Sequence, residues 1–289
     1  MNNNLPTLLL REWMQHKRGW LIAAFAPPLL FLAVLPFGNV QGLPEKHREL
    51  LALAILLITA AAVFGICLLV ALFQLPGLAR RDVQDRSIEF WLSLPGRPSE
   101  SVAATVLAHA WLAPLGGAVI GTLFGLPIAA SVLGRQDGFE AITAVNWAEV
   151  VSAAAPLLLR GLVGTLPMLL WLAPLIFVLM AASAWLKRLG VPLVLVGTMV
   201  TVLVLDKVYA IEWPQHVIAA WNTQVNTTII HNPDGLKHAL MSSDVNLWAW
   251  VAKDFGEAMA ELVSLQFLGW TALAAAGFAL VVMKRARGG

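Results

Sequence analysis

The chain has 289 residues, of which 59% are hydrophobic and only 12% charged, with a formal net charge of +2. A soluble domain carries about twice that charged fraction, so the composition, with its mean hydropathy of +0.76, is that of an integral membrane protein and gives no basis for nucleic-acid binding. The single cysteine, Cys67, excludes an intramolecular disulfide or a cysteine metal cluster, and inside an apolar run it reads as a small buried hydrophobe.

Residues 1–4 are polar. From Pro6 to Trp20 a helical wheel places Leu9, Leu10, Trp13, Met14 and Trp20 on one side. Arg11, Glu12, Gln15, His16 and Arg18 fall opposite, and Lys17 sits where a long stem can snorkel. This pattern predicts an amphipathic interfacial helix over 1–18, lying along a membrane before the chain enters it. A cleavable signal peptide is the rival reading of 17–38, but no small-residue cleavage site follows and further apolar runs come later. An uncleaved first span fits better.

Crossing a bilayer takes about 20 apolar residues. Runs near 19–38, 50–78, 101–133, 151–185, 190–206 and 263–283 meet that length. The expected fold class is therefore an all-α integral membrane protein with six transmembrane helices, forming a single domain over 1–289. Pro27, Pro28, Pro114, Pro127, Pro156, Pro167 and Pro174 lie inside the runs. Such breaks survive in lipid only where neighbours satisfy the freed carbonyls, so the helices should form a packed bundle with bent members.

Lysine and arginine set the expected orientation. Of the 19 in the chain, twelve fall on the connections that share a side with the amino terminus and six on the opposite ones, while Arg160 lies within a run. By the positive-inside rule both termini are expected in the cytoplasm, together with the loop over 79–100. The segment over 207–262 is then external. It carries Trp213, Trp221, Trp248 and Trp250 and a helical pattern from Asp244 to Ala260. Tryptophan favours membrane boundaries, so a lid of short, partly embedded helices is expected there, with a small separate domain as the competing reading.

The stretch 80–98, RRDVQDRSIEFWLSLPGRP, is too apolar for a plain solvated loop. On a helix Asp85, Arg86, Glu89 and Ser93 share one polar stripe, and Ile88, Phe90, Trp91, Leu92 and Leu94 cover most of the rest. Asp85 can cap its start, and Pro95, Gly96 and Pro98 end it. Apolar surface on that scale needs cover on two sides, which predicts a transverse helix wedged between the base of the bundle and a second protein. The plainer alternative is an interfacial helix without a partner.

No P-loop, GxSxG or HExxH sequence is present. His231, Asp234 and His238 approach metal-ligand spacing, but the intervening proline and glycine make a turn, and no metal site is expected from the sequence. Asn226 begins a match to a glycosylation acceptor, which matters only in a eukaryotic secretory setting. Charged groups inside spans are expensive and point to function. Arg160 is the sharpest case, with an anionic part of a cargo on one reading and, on the other, snorkelling or a carbonyl freed by Pro156. His109, a second candidate for a cargo path, and Gln74 lie toward span ends, where bonding between helices is the plainer role. Gly117, Gly121 and Gly125 form GxxxGxxxG, which suits close helix packing within the bundle or across a dimer.

The sequence RD..DRSI.FW.SLP over 81–95 resembles the cytoplasmic loop of ABC-2 type permeases, the membrane subunits of bacterial ATP-binding-cassette exporters. The order of parts agrees over nearly the whole chain. The resemblance implies that this loop is a coupling helix seated in a groove of the ATPase subunit, with Arg81, Asp85, Arg86, Ser87, Ile88, Phe90, Trp91, Ser93, Leu94 and Pro95 as the docking element. It further implies two permease copies, most simply a homodimer, two ATP-binding subunits that hold the ATP and Mg²⁺, and a place in the bacterial inner membrane. This chain would then be a transport subunit with no enzymatic activity or cofactor of its own, exporting a drug, peptide, lipid or other amphipathic or hydrophobic substrate. A signalling or scaffold subunit bound to an ATPase, and a stand-alone secondary transporter or channel, are the alternatives.

Overall fold

A computed structural model describes residues 5–40, 47–80, 97–242 and 245–287. Among them the regular structure is entirely helical. Five stretches are long and apolar enough to cross a membrane: Leu5–Phe37, Arg48–Leu78, Pro98–Asp137, Trp147–Tyr209 and Leu265–Ala286. They are compatible with a multi-pass membrane protein. The six apolar runs of the sequence fall on these five, because 151–185 and 190–206 share the fourth.

Helix α1, Leu5–Val34, is a single 30-residue helix. The separate interfacial helix expected over 1–18 is not seen, since the chain runs on through Arg18 and Gly19 without a break. A mid-helix glycine costs only about 1 kcal/mol relative to alanine, too little to end a helix by itself. The polar face also has somewhere to go, because Glu12 is completely buried against the neighbouring helix.

Helix α2, Arg48–Leu78, is answered by α3, Pro98–Val106, and α4, Ala113–Asp137, which are joined by a π-turn at Leu107–Leu112. Pro114 has no N–H for the carbonyl one turn before it, and the helix widens just ahead of that proline. The buried residues of α2 include Leu56, Ala60, Val63 and Cys67, spaced three or four apart. Against that stripe lie the three glycines of α4. A Cβ on Gly121 would come within 2.8 Å of Ala60 Cα, one on Gly125 within 2.9 Å of Leu56 Cα, and one on Gly117 within 2.6 Å of Cys67 Sγ. The GxxxGxxxG face therefore packs inside the bundle.

After the short α5, Phe139–Ala144, comes α6, Trp147–Leu186, a 40-residue helix containing Pro156, Pro167 and Pro174. Asn146 caps it by accepting the Glu149 amide. Lys187, at φ 56°, starts a 3₁₀ turn over Lys187–Leu189 that turns the chain into α7, Gly190–Tyr209. Gly190 presses on the Ala182 carbonyl so closely that no side chain fits there, and α7 folds back along α6. Three shorter helices follow, α8 (Trp213–Thr227), α9 (Pro233–Met241) and α10 (Leu247–Ala260), before the final α11, Leu265–Ala286. Asn246 caps α10, two residues beyond the start expected at Asp244, which lies outside the described residues.

Polar contacts fix how the helix ends gather. Ser101 near the start of α3 accepts from Arg11 near the start of α1 and from Arg285 at the end of α11. At the same end, the Ser183 hydroxyl of α6 donates to the Pro76 carbonyl of α2 at 2.6 Å. At the opposite end Arg135 donates to the Pro36 carbonyl and Arg48 pairs with Asp137. The start of α1 and the end of α11 thus lie at one end of the bundle.

Candidate functional site

Among the described residues, two buried polar clusters stand out from the apolar interior. The first is built on Arg160, which α6 buries to 1% exposure against the segment that carries α8–α10. Its Nε donates to Asp254 Oδ2 at 2.8 Å and one terminal nitrogen donates to the Thr228 carbonyl at 2.7 Å. The guanidinium also lies 5.4 Å from the Phe255 ring centre. Asp254 is itself buried and accepts the backbone amides of His231 and Asn232 at 3.1 and 2.8 Å. One carboxylate thereby ties the turn after α8 and helix α10 to the middle stretch of α6. The carbonyl partner is Thr228, far along the chain, and the acid is one that the sequence analysis did not single out. Its signal was present: Val251, Asp254 and Ala258 form the buried stripe of α10, and an acid on an apolar stripe calls for a cation.

Next to this latch is an apolar cavity of about 350 Å³. Leu57, Ala61 and Phe64 of α2, Ala118 and Thr122 of α4, and Leu157, Arg160 and Thr165 of α6 contribute to its wall, with Ile230, Leu236 and Trp250 from the α8–α10 segment. Its size is at the lower end for drug-sized ligands. Thr165 accepts from the Trp111 indole N–H at 3.0 Å, which holds the π-turn against α6.

The second cluster lies at the end of the bundle where α1 begins. Glu12 Oε1 accepts from Arg11 at 2.6 Å and from the Thr105 hydroxyl at 3.1 Å. Its other oxygen faces two imidazoles, His109 Nε2 at 3.4 Å and His16 Nε2 at 3.8 Å. His109 sits within the π-turn, is fully buried, and has no hydrogen-bond partner at either ring nitrogen. The His16 and Trp20 rings meet it edge-on, with centres 4.6 and 4.9 Å away. His109 does not line the cavity beside Arg160, so the structure sets these two sequence candidates apart. Nothing in residue spacing links Glu12 to His109, 97 positions later, and only the α1–α3 packing brings them together.

His231, Asp234 and His238 do not converge; among the described residues, the His and acid group that gathers is Glu12, His16 and His109. The docking residues expected from the sequence, Arg81, Asp85, Arg86, Ser87, Ile88, Phe90, Trp91, Ser93, Leu94 and Pro95, lie outside the described residues. Gln74 lies on α2, seven residues beyond Cys67. Comparison with family models, with curated proteins and with solved structures gives no match to this chain.

Proposed function

We propose that this chain is the membrane-spanning subunit of an ATP-driven exporter, moving an amphipathic or hydrophobic substrate while a separate partner subunit binds and hydrolyses ATP with Mg²⁺. The observation that carries this reading is the sequence of residues 81–95, which is rich in aromatic and large apolar residues and, set on a helical wheel, would gather its polar residues on one narrow stripe. Its flanks give it a fitting position. Leu75 near the end of α2 and Val102 near the start of α3 share one core cluster, so α2 ends and α3 begins at a single end of the bundle. That end also holds the start of α1 and the end of α11, which the lysine and arginine distribution assigns to the cytoplasm. A rigid, bulky joint between a nucleotide-driven subunit and the ends of α2 and α3 transmits displacement; a solvated loop does not. ATP-driven closure of the partner then favours one arrangement of the bundle over another, a population shift set by differential nucleotide binding.

In this mechanism the cavity beside Arg160 is the candidate cargo contact, because it combines an apolar wall with a buried cation. Two copies of the chain are expected in the working assembly.

The test uses the full chain purified with its co-purifying ATPase and placed in lipid vesicles. Phe90→Ala with Trp91→Ala should abolish nucleotide-driven flux and partner retention while leaving membrane insertion intact. Full flux and stimulated ATP hydrolysis in that double variant would overturn the docking role. Stimulated hydrolysis by the unaltered complex without flux of any amphipathic probe would favour a signalling or scaffold subunit instead.

A further inference from the structure

Residues Glu12, His16 and His109 are not used by the exporter reading, and their arrangement is independent of it. We propose that they form a three-ligand site for a divalent transition metal, of the two-histidine, one-carboxylate type, clamping the first turns of α1 to the π-turn after α3. Each of the three offers one ligand atom, and these atoms lie within 4.8 Å of one another. Two ligands on a tetrahedral ion at 2.0–2.2 Å are separated by roughly 3.4 Å. His109 Nε2 and Glu12 Oε2 stand 3.4 Å apart, and His16 Nε2 lies 3.8 Å from the same oxygen.

The independent sign of a ligand is His109. An imidazole at 0% exposure with neither nitrogen hydrogen-bonded keeps part of its desolvation penalty, with the Glu12 carboxylate 3.4 Å away as its nearest charge. A metal on Nε2 would supply a partner to one of the two nitrogens. The π-turn at Leu107–Leu112 presents that ring, and single π-turns inside α-helices recur at functional sites.

The carboxylate is arranged for the same task. Arg11 and Thr105 hold Oε1, and Oε2 faces the two imidazoles. Outer contacts of this kind orient a ligand and tune its basicity. His16, with its side chain 24% exposed, gives the site an edge toward solvent. Two imidazoles and one carboxylate suit Zn²⁺ and its first-row neighbours rather than Mg²⁺ or Ca²⁺.

The experiment uses the full-length protein carrying no polyhistidine tag, stripped with a chelator and held in lipid nanodiscs. Co²⁺ titration should give saturable visible absorption at one ion per chain, and Zn²⁺ should abolish it. Zn²⁺ should also raise the thermal midpoint. His16→Ala, at a half-buried position, should weaken binding by about 100-fold or more, beyond the 10–100-fold typical of outer contacts. His109→Gln should do the same, and circular dichroism would show that it is folded. His216→Ala, an exposed histidine beside Glu212, should change nothing. Absence of saturable binding, or binding that His16→Ala leaves intact, would overturn the proposal; the latter result would place the ion elsewhere.

Discussion

At the scale of single residues, the Arg160–Asp254 pair carries the sharpest energetic consequence. Removing one member of a buried pair leaves an uncompensated charge and costs about 3–5 kcal/mol, whereas replacing both by apolar groups is often neutral. Asp254→Ala should therefore lower the thermal midpoint strongly, and adding Arg160→Met should recover part of the loss. Recovery is incomplete because the amides of His231 and Asn232 still lose their acceptor. Thermal unfolding of the purified protein in detergent gives the comparison, and equal midpoints for the unaltered chain and Asp254→Ala would remove the latch. If Arg160 also meets cargo, the double variant stays folded and loses flux. The sequence shows Arg160 plainly as a cation inside an apolar run. Its partner is hidden because the tryptophans of α10 mark a membrane-boundary helix and nothing in their spacing matches a face of it to α6.

Among the elements, the α2–α4 contact is the tightest that sequence alone could anticipate. A Cβ at Gly121 would strike backbone atoms of Thr59 and Ala60, which cannot move aside independently. Gly121→Ala should force the two helices apart at about 1–3 kcal/mol, the usual cost of overpacking. Gly116→Ala, where nothing lies within 4 Å, is the matched control and should be neutral or slightly stabilising through its higher helix propensity. Urea or thermal titration of both variants distinguishes a packing role from a mere preference for glycine. Small residues four apart mark this face of α4 for close packing but leave open whether its partner lies in the bundle or in a second copy. The continuity of α1 was less legible, since a polar face reads as solvent-facing on a wheel whether water or another helix covers it. Glu12, buried under Arg11, Thr105 and the two histidines, is the residue that distinguishes these cases.

Across the whole molecule, helix length sets position. Arg160 lies 26 residues before Leu186, the last residue of α6, which is about 39 Å along the axis at 1.5 Å per residue. The hydrocarbon core of a bilayer is about 30 Å thick. On the expectation that Lys187 and Arg188 mark one boundary, that length would carry Arg160 near or beyond the other. Reporter fusions at residues 1 and 289 should therefore read the same side, and a reporter inserted in α9 near Lys237 the opposite one. Opposite readings for the two termini would break the pairing of Ser101 with both Arg11 and Arg285. The order of apolar runs was visible from the amino acids because lipid imposes a length on each. Which runs touch was not visible, because every face of such helices is greasy and only scattered polar atoms record the pairing.

The distance in chain between Arg160 and Asp254 has a consequence for biosynthesis. The two are 94 residues apart, and a ribosome making 5–20 residues per second needs roughly 5 to 20 s to supply the second after the first. Throughout that interval the guanidinium of a newly inserted helix waits for a counter-ion still being translated. Nascent chains halted in this window carry Arg160 without the Asp254 carboxylate that meets it in the folded chain.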